Sequence, residues 1–135
     1  MTKKHHHIAI ATILLMLLPA VLSGCSYDED MEVCQVSVRL IYPENSVSPY
    51  AGARVEMKDA TASVFVDSTD ANGTAHFTLP PGIYEATSNS QYVDSTTSTW
   101  WRYLFNGVRS LIIISPDSTN RIELPLKMSK KRIVE

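Results

Sequence analysis

From residue 33 onward, apolar and polar side chains alternate with a period of two, and this pattern constrains the fold more than any other feature of the chain. It is clearest between Val33 and Tyr42, where polar residues separate the apolar ones. Strict alternation is typical of a β-strand with one buried face, because successive side chains of a strand point to opposite sides. The inward face predicted for this first strand consists of Cys34, Val36, Val38 and Leu40.

Similar short segments follow, separated by residues that favour turns, such as Asn72-Gly73 and Pro80-Pro81-Gly82. No stretch after residue 33 has the period of an amphipathic helix. Seven or eight short strands in about 100 residues predict an all-β chain folded as a single antiparallel β-sandwich. A polar, Ser/Thr-rich loop is expected over residues 88–99. The core positions predicted before that loop are Ala53, Val55, Met57, Ala75, Phe77, Leu79, Tyr84 and Ala86.

The dipeptide Asn106-Gly107, flanked by apolar runs, is the strongest short signal for a β-hairpin in the chain. A two-residue loop there pairs Trp101 with Ile112 and places Trp100 opposite Ile113. Trp101 then enters the core together with Tyr103 and Phe105. The outward face of this hairpin is expected to carry Trp100, Arg102, Arg109, Leu111 and Ile113.

Two interpretations of that outward face stay open. Exposed aromatic and Arg side chains are typical binding anchors, and an aromatic ring can stack on a sugar, so the face is a candidate surface for a partner or a glycan. Alternatively, the loop over residues 88–99 or a neighbouring strand covers it.

The last predicted strand contains Pro125, which has no backbone N–H to donate and therefore indicates the edge of a sheet. The sandwich domain is expected to span residues 33–130, followed by a solvated tail at 131–135. The inward face of the last strand is predicted to hold Ile122, Leu124, Leu126 and Met128.

Three segments that follow in order go beyond simple alternation. They are Ala51-Gly52-Ala53-Arg54-Val55-Glu56-Met57, Thr69-Asp70-Ala71-Asn72-Gly73-Thr74-Ala75-His76-Phe77 and Leu79-Pro80-Pro81-Gly82-Ile83-Tyr84. Together they resemble the carboxypeptidase regulatory-like, or transthyretin-like, domains of bacterial envelope proteins. The resemblance covers residues 33–87 and implies a prealbumin-type sandwich that serves as a non-catalytic module. Resemblance of fold by itself implies little about function.

Residues 1–24 have the features of a bacterial lipoprotein signal peptide. Two lysines precede a 15-residue apolar run from Ile8 to Leu22, whose length suits a secretory signal better than a membrane-spanning helix. The run ends in Leu22-Ser23-Gly24-Cys25, which resembles a lipobox. That resemblance implies that signal peptidase II recognises Leu22, Ser23 and Gly24 and cleaves before Cys25. Lipid on the Cys25 thiol, with a second acyl group on the new amino terminus, then gives the several chains that stable anchoring requires.

Residues 25–32 are expected to form an acidic, solvated tether, because Asp28, Glu29, Asp30 and Glu32 cannot all be buried. The segment resembles the acidic export signals that follow the lipidated cysteine in some Gram-negative surface lipoproteins. We therefore expect attachment to the outer membrane, facing the cell surface, with the periplasmic face as the alternative.

Charge and residue types argue against several classes of function. Lys3 and Lys4 are the only charged residues of the leader, so its removal takes the formal net charge from −2 to about −4, which disfavours a nucleic-acid partner. His76 is the only histidine after the leader and is predicted on the outward side of a strand, so neither catalysis nor a zinc site is expected. Cys34 is expected to be a small buried residue. No cofactor is expected beyond the lipid on Cys25.

These features predict a membrane-anchored, non-catalytic binding or assembly module of an outer-membrane or surface complex, with a role in transport, glycan binding or adhesion. Its expected partners are the membrane, through the lipid, and an outer-membrane protein or a surface glycan. The alternative is a purely structural envelope subunit or spacer without a ligand.

Overall fold

The computed structural model describes residues 32–133, which form two β-sheets and no helix. The strands are β1 (Cys34–Ile41), β2 (Arg54–Asp59), β3 (Val64–Ser68), β4 (Thr74–Leu79), β5 (Gly82–Asp94), β6 (Trp101–Ile114), β7 (Arg121–Pro125) and β8 (Lys127–Arg132). One sheet, here sheet A, has the strand order β4-β1-β7, and the other, sheet B, has the order β3-β2-β5-β6-β8. The predicted all-β sandwich is confirmed.

The apolar faces of the two sheets form one core, and alternation along the strands decides which side chains enter it. In β1 the burial of successive residues follows the sequence pattern, with Val38 fully buried and Arg39 exposed. Every core position predicted before residue 87 is buried, including Phe77 at 7% exposure. The strands before residue 87 therefore have the inward faces that their sequences predict.

β1 lies in the middle of sheet A, antiparallel to β4 and parallel to β7. Val38 faces Ala75 on one side and Ile122 on the other. The parallel pair joins strands from opposite ends of the domain. It departs from the expected arrangement, in which neighbouring strands are antiparallel. β7, which ends at Pro125, is an edge strand of sheet A, as predicted.

The predicted hairpin at Asn106-Gly107 is wrong. Both residues lie inside the continuous strand β6, where they pair with Asn89 and Ser88 of β5. Gly107 does not adopt the positive φ that a two-residue hairpin turn requires. Instead, a Cβ atom at position 107 would lie 2.7 Å from the carbonyl oxygen of Pro125, so the glycine permits close approach of another strand.

The predicted loop over residues 88–99 is wrong for its first seven positions. Residues 88–94 continue β5 and pair with β6 from Gly107 back to Trp101. The first of their hydroxyl groups is satisfied within the sheet, since the Ser88 hydroxyl donates to the carbonyl oxygen of Arg54 at 2.7 Å. Polar composition indicated a loop, whereas the polar side chains here belong to a partly exposed strand.

The last predicted strand is two strands in different sheets. β7 belongs to sheet A and β8 to sheet B, and the chain crosses between them at Leu126, whose N–H donates to the carbonyl oxygen of Ile41 at 2.9 Å. Met128 is 36% exposed and so does not continue the buried face of β7. Because β8 ends at Arg132, the domain also extends past the predicted boundary at residue 130.

The predicted signal peptide, the lipidation site Cys25 and the tether up to residue 31 lie outside the described residues. Within residues 32–133, no helix has the length and apolar character needed to span a membrane.

Candidate functional site

The five residues predicted as a partner or glycan surface are all exposed, but they do not form one surface. Because β6 is a single strand, Trp100 lies just before its start and Ile113 near its end. At about 3.3 Å per residue, these two side chains are separated by about 40 Å along the strand. Trp100 therefore does not lie opposite Ile113, and the two ends of β6 must be treated as separate candidate sites.

Arg109 belongs to a contact between the sheets and not to the rim of an aromatic surface. It pairs with Ala86, whose side chain is buried. Its guanidinium Nη1 donates a hydrogen bond of 3.0 Å to the carbonyl oxygen of Glu123 in β7. Arg109 thus links β6 of sheet B to β7, an edge strand of sheet A.

The carboxyl-terminal end of β6 exposes large aliphatic side chains together with the adjacent start of β5. Ile83 and Ile113 are cross-strand partners, with 52% and 71% of their surface exposed. We call this surface the exterior apolar patch; it consists of Ile83, Val108, Leu111 and Ile113. Large apolar side chains exposed together on the outside of a domain are typical of interaction sites.

A β-bulge lies inside the exterior apolar patch. Where β5 contributes only Glu85, β6 contributes both Ser110 and Leu111, and the Ser110 hydroxyl donates to Glu85 Oε2 at 3.0 Å. Leu111 adopts a φ of 56°, in the left-handed region that costs a non-glycine residue about 1–2 kcal/mol. Its side chain is 82% exposed, so burial within the domain does not offset this cost.

The other end of β6 has a different character, because its inward face carries aromatic and charged side chains. Asp94 pairs with Trp101, and Tyr92 pairs with Tyr103. The Lys130 ammonium lies 4.3 Å from the centroid of the Trp101 ring, a cation–π contact. Trp101 is half-buried and packs against the core, as predicted, whereas the neighbouring Trp100 is 47% exposed.

Tyrosine rings connect this end of sheet B to the loop between β1 and β2. Tyr42 packs edge-on against Phe105, with centroids 4.9 Å apart. Tyr50 contacts Tyr42 at 5.5 Å and Tyr92 at 5.2 Å. The Tyr50 hydroxyl donates to the Ser90 hydroxyl at 3.0 Å, which fixes the loop on β5.

An open cleft of about 400 Å³ lies between that loop and the end of β5. We call it the tyrosine cleft; its lining consists of Ser46, Val47, Ser48, Pro49, Tyr50, Tyr92, Asp94 and Thr96. Asp94 Oδ1 accepts hydrogen bonds from the Thr96 backbone N–H at 2.9 Å and from its hydroxyl at 2.6 Å. These bonds hold the pKa of Asp94 below its ordinary value, so the carboxylate is ionised near neutral pH.

Behind the cleft wall, the Tyr42 hydroxyl is buried and has no hydrogen-bond partner among residues 32–133. Burial raises the pKa of Tyr42 well above its ordinary value, and the neighbouring Tyr50 raises it further. The phenol therefore stays protonated, and its O–H group has one hydrogen bond to donate. An unpaired buried hydroxyl costs about 1–3 kcal/mol.

The side chains considered for catalysis or metal binding lie outside the tyrosine cleft. His76 lies on β4, and its ring Nε2 is 3.2 Å from Oδ2 of Asp70, which precedes that strand. Asp70 Oδ1 accepts the backbone N–H groups of Asn72 and Thr74, and the Thr74 bond is the main reason that the pKa of Asp70 is lowered. Cys34 is buried with a free thiol. Within residues 32–133, no cluster of three or more His, Cys, Asp or Glu side chains is arranged to hold a metal ion.

Comparison of the chain with protein-family models, with curated proteins and with solved structures finds no match. The resemblance to carboxypeptidase regulatory-like domains therefore stays a prediction.

Sequence reasoning missed the tyrosine cleft altogether. Its walls come from the loop between β1 and β2 and from residues 92–96, which were predicted to belong to the polar loop over residues 88–99. The pattern Asp94-x-Thr96 was a usable signal, because an Asp that bonds the backbone two residues ahead is typical of a turn that ends a strand. Asp94 is the last residue of β5, as that pattern indicates.

Proposed function

We propose that this chain is a lipid-anchored, non-enzymatic module of the bacterial cell envelope that docks on an outer-membrane protein through the exterior apolar patch. The single observation that carries the proposal is the patch itself, four large aliphatic side chains on two adjacent strands with 52–82% of their surface exposed. Burying such side chains against a partner stabilises a complex by about 25 cal/mol for each Å² of apolar surface removed from water.

The conformation of Leu111 supports this proposal. Glycine adopts φ near 56° without strain, whereas the same conformation costs leucine free energy. Leu111 has this conformation although its side chain is exposed. Backbone strain of this kind is concentrated at functional sites. A partner that covers Leu111 gives the side chain the burial that the isolated domain does not provide.

Membrane attachment rests on the lipobox-like segment Leu22-Ser23-Gly24-Cys25. The acidic residues after Cys25 favour the outer membrane and its cell-surface side, as the resemblance to surface-export signals implies. A short tether keeps the domain close to the membrane, where a membrane-embedded partner is within reach.

Site-specific crosslinking in intact cells tests the docking surface. A photo-crosslinking amino acid in place of Leu111 should give a discrete adduct with an outer-membrane protein. The same amino acid in place of Thr78, which is exposed on β4 in sheet A, should give none.

Charge introduced into the patch should remove the adduct. Ile83→Asp combined with Ile113→Asp is expected to abolish crosslinking from position 111, because a carboxylate is costly to bury in an apolar interface. Val66→Asp is the matched control, since Val66 is 50% exposed on β3 at the opposite edge of sheet B. Equal crosslinking from positions 111 and 78 would contradict docking through the patch and favour the alternative, a structural spacer.

A further inference from the structure

The tyrosine cleft has the composition of a site for a polyhydroxylated ligand. Apart from Val47 and Pro49, its lining consists of side chains that carry hydroxyl or carboxylate oxygens. Its volume of about 400 Å³ lies within the range of small-molecule sites, about 300–1,000 Å³. We infer that this cleft binds a neutral saccharide, with the exposed part of the Tyr92 ring as the stacking surface and Asp94 as the acceptor for sugar hydroxyls.

The aromatic wall supports stacking. Tyr92 is 39% exposed although its ring contacts Tyr50, so part of the ring is available from the cleft. Tyr50 is held in place by its hydrogen bond to Ser90 and by contact with Tyr42. A rigid aromatic wall contributes contact area with little loss of conformational entropy on binding.

The charge of the cleft favours a neutral ligand over an anion. Asp94 is the only charged residue that lines it within the described part of the chain. Its Oδ1 is engaged by Thr96, and an ionised carboxylate has further lone pairs that accept hydrogen bonds from hydroxyl groups. An anionic sugar would place its charge beside that carboxylate.

The arrangement of the rings favours a sugar over an organic cation. Tyr50 and Tyr92 contact each other at a 46° tilt, so these two rings do not enclose a ligand between their faces. The Ser46 and Thr96 hydroxyls already donate to Pro43 and Asp94, but their oxygens can still accept hydrogen bonds. A sugar hydroxyl donates such bonds, whereas a quaternary ammonium has no N–H to donate.

Ligand-observed NMR on the full chain tests the inference. The protein is purified in a polyoxyethylene detergent, which contains neither sugar nor choline, and is titrated with maltose, cellobiose and mannobiose. At least one of these disaccharides should bind with a Kd of about 1 mM or lower. Choline and a uronic-acid disaccharide serve as the cationic and anionic probes and should not bind.

Variants on the two faces of β5 locate the site. Tyr92→Ala should weaken disaccharide binding at least about tenfold, and Tyr92→Phe, which keeps the ring, should weaken it less. Val93→Ala is the matched control, because Val93 is exposed on the opposite face of the same strand and should leave Kd unchanged. Thermal unfolding of each variant checks that the domain is intact.

Three outcomes would overturn the inference: no binding of any of the three neutral disaccharides, tighter binding of choline or the uronic acid, or equal affinity for Tyr92→Ala and the wild type. The test is independent of docking at the exterior apolar patch. Ile83→Asp combined with Ile113→Asp should leave disaccharide binding unchanged, because these residues lie at the far end of the β5–β6 pair from Tyr92.

Discussion

At the scale of single residues, Leu111 combines an unfavourable backbone conformation with an exposed side chain. Leu40, by contrast, is a leucine in a regular strand with 1% of its surface exposed. Burial of Leu40 therefore stabilises the domain, whereas the conformation of Leu111 destabilises it, although the two side chains are chemically identical.

We predict that Leu111→Gly leaves the free energy of unfolding unchanged or raises it by up to about 1 kcal/mol, because glycine relieves the strain of the left-handed conformation. Leu40→Ala should lower it by about 2–5 kcal/mol, as expected when a buried leucine is truncated. Urea denaturation of the full chain measures both. If Leu111→Gly destabilised the domain as much as Leu40→Ala, the side chain of Leu111 would be a packing residue and not a docking residue.

Of the candidate-site residues, the sequence placed Leu111 and Ile113 outward and Trp101 inward correctly. The reasoning was nevertheless wrong, since the faces were derived from a hairpin at Asn106-Gly107 that the structure does not have. Trp101, Tyr103 and Phe105 share a face by alternation alone, and the bulge at Ser110 and Leu111 then restores Ile112 to the buried side. Arg109 was placed on the wrong face because the assumed loop at Asn106-Gly107 reversed the alternation, whereas the continuous strand keeps Arg109 on the same side as Trp101.

At the scale of strands, prediction worked where one face is buried and the other is solvated. β1, β2 and β4 meet this condition, so their alternation is strict and their inward faces were predicted correctly. It failed for the second half of β5, which is partly exposed on both faces and therefore has a polar composition. It also failed at Leu126, where the chain leaves one sheet for the other without interrupting the apolar pattern.

Glycine can form a turn, or it can let another segment of the chain approach closely because it has no Cβ atom. Gly107 does the latter. Gly107→Ala should lower the free energy of unfolding by about 1–3 kcal/mol, the usual range for overpacking. A Cβ atom there would meet the Pro125 carbonyl oxygen at 2.7 Å and the Leu126 side chain at 2.9 Å. Thermal and urea unfolding measure the effect.

Gly82→Ala is the matched control for that substitution. Gly82 begins β5, has no positive φ, and an added Cβ atom would have its nearest contact at 3.6 Å, with the Tyr84 ring. Its free energy of unfolding should change by no more than about 0.5 kcal/mol. Equal effects of the two substitutions would contradict the close packing of β6 against the β7–β8 connection.

At the scale of the whole molecule, the two cysteines have separate roles in the proposal. Cys34 is buried in the core of the domain, whereas Cys25 is the predicted acceptor of lipid. Cys25→Ala should abolish incorporation of a palmitate analogue and leave an uncleaved precursor, because the thiol is the attachment point. Cell fractionation should then find this variant outside the outer-membrane fraction.

Cys34→Ala is the internal control for lipidation, since it removes the other thiol of the chain. This variant should retain labelling by the palmitate analogue and remain with the membranes, at some cost in stability. Labelling that survives Cys25→Ala or disappears with Cys34→Ala would contradict the assignment of the anchor.

The parallel pairing of β1 with β7 also has a kinetic consequence. Among the described strands β1 is synthesised first, yet its pairing with β7 can form only when residues near Ile122 have been synthesised. Folding that depends on contacts so distant in sequence is slow, because the entropy cost of closing a long loop comes before the favourable energy of the contact. Sheet A therefore stays incomplete until β7 has been synthesised, and a protein that has not finished folding can still be transferred across a membrane in extended form.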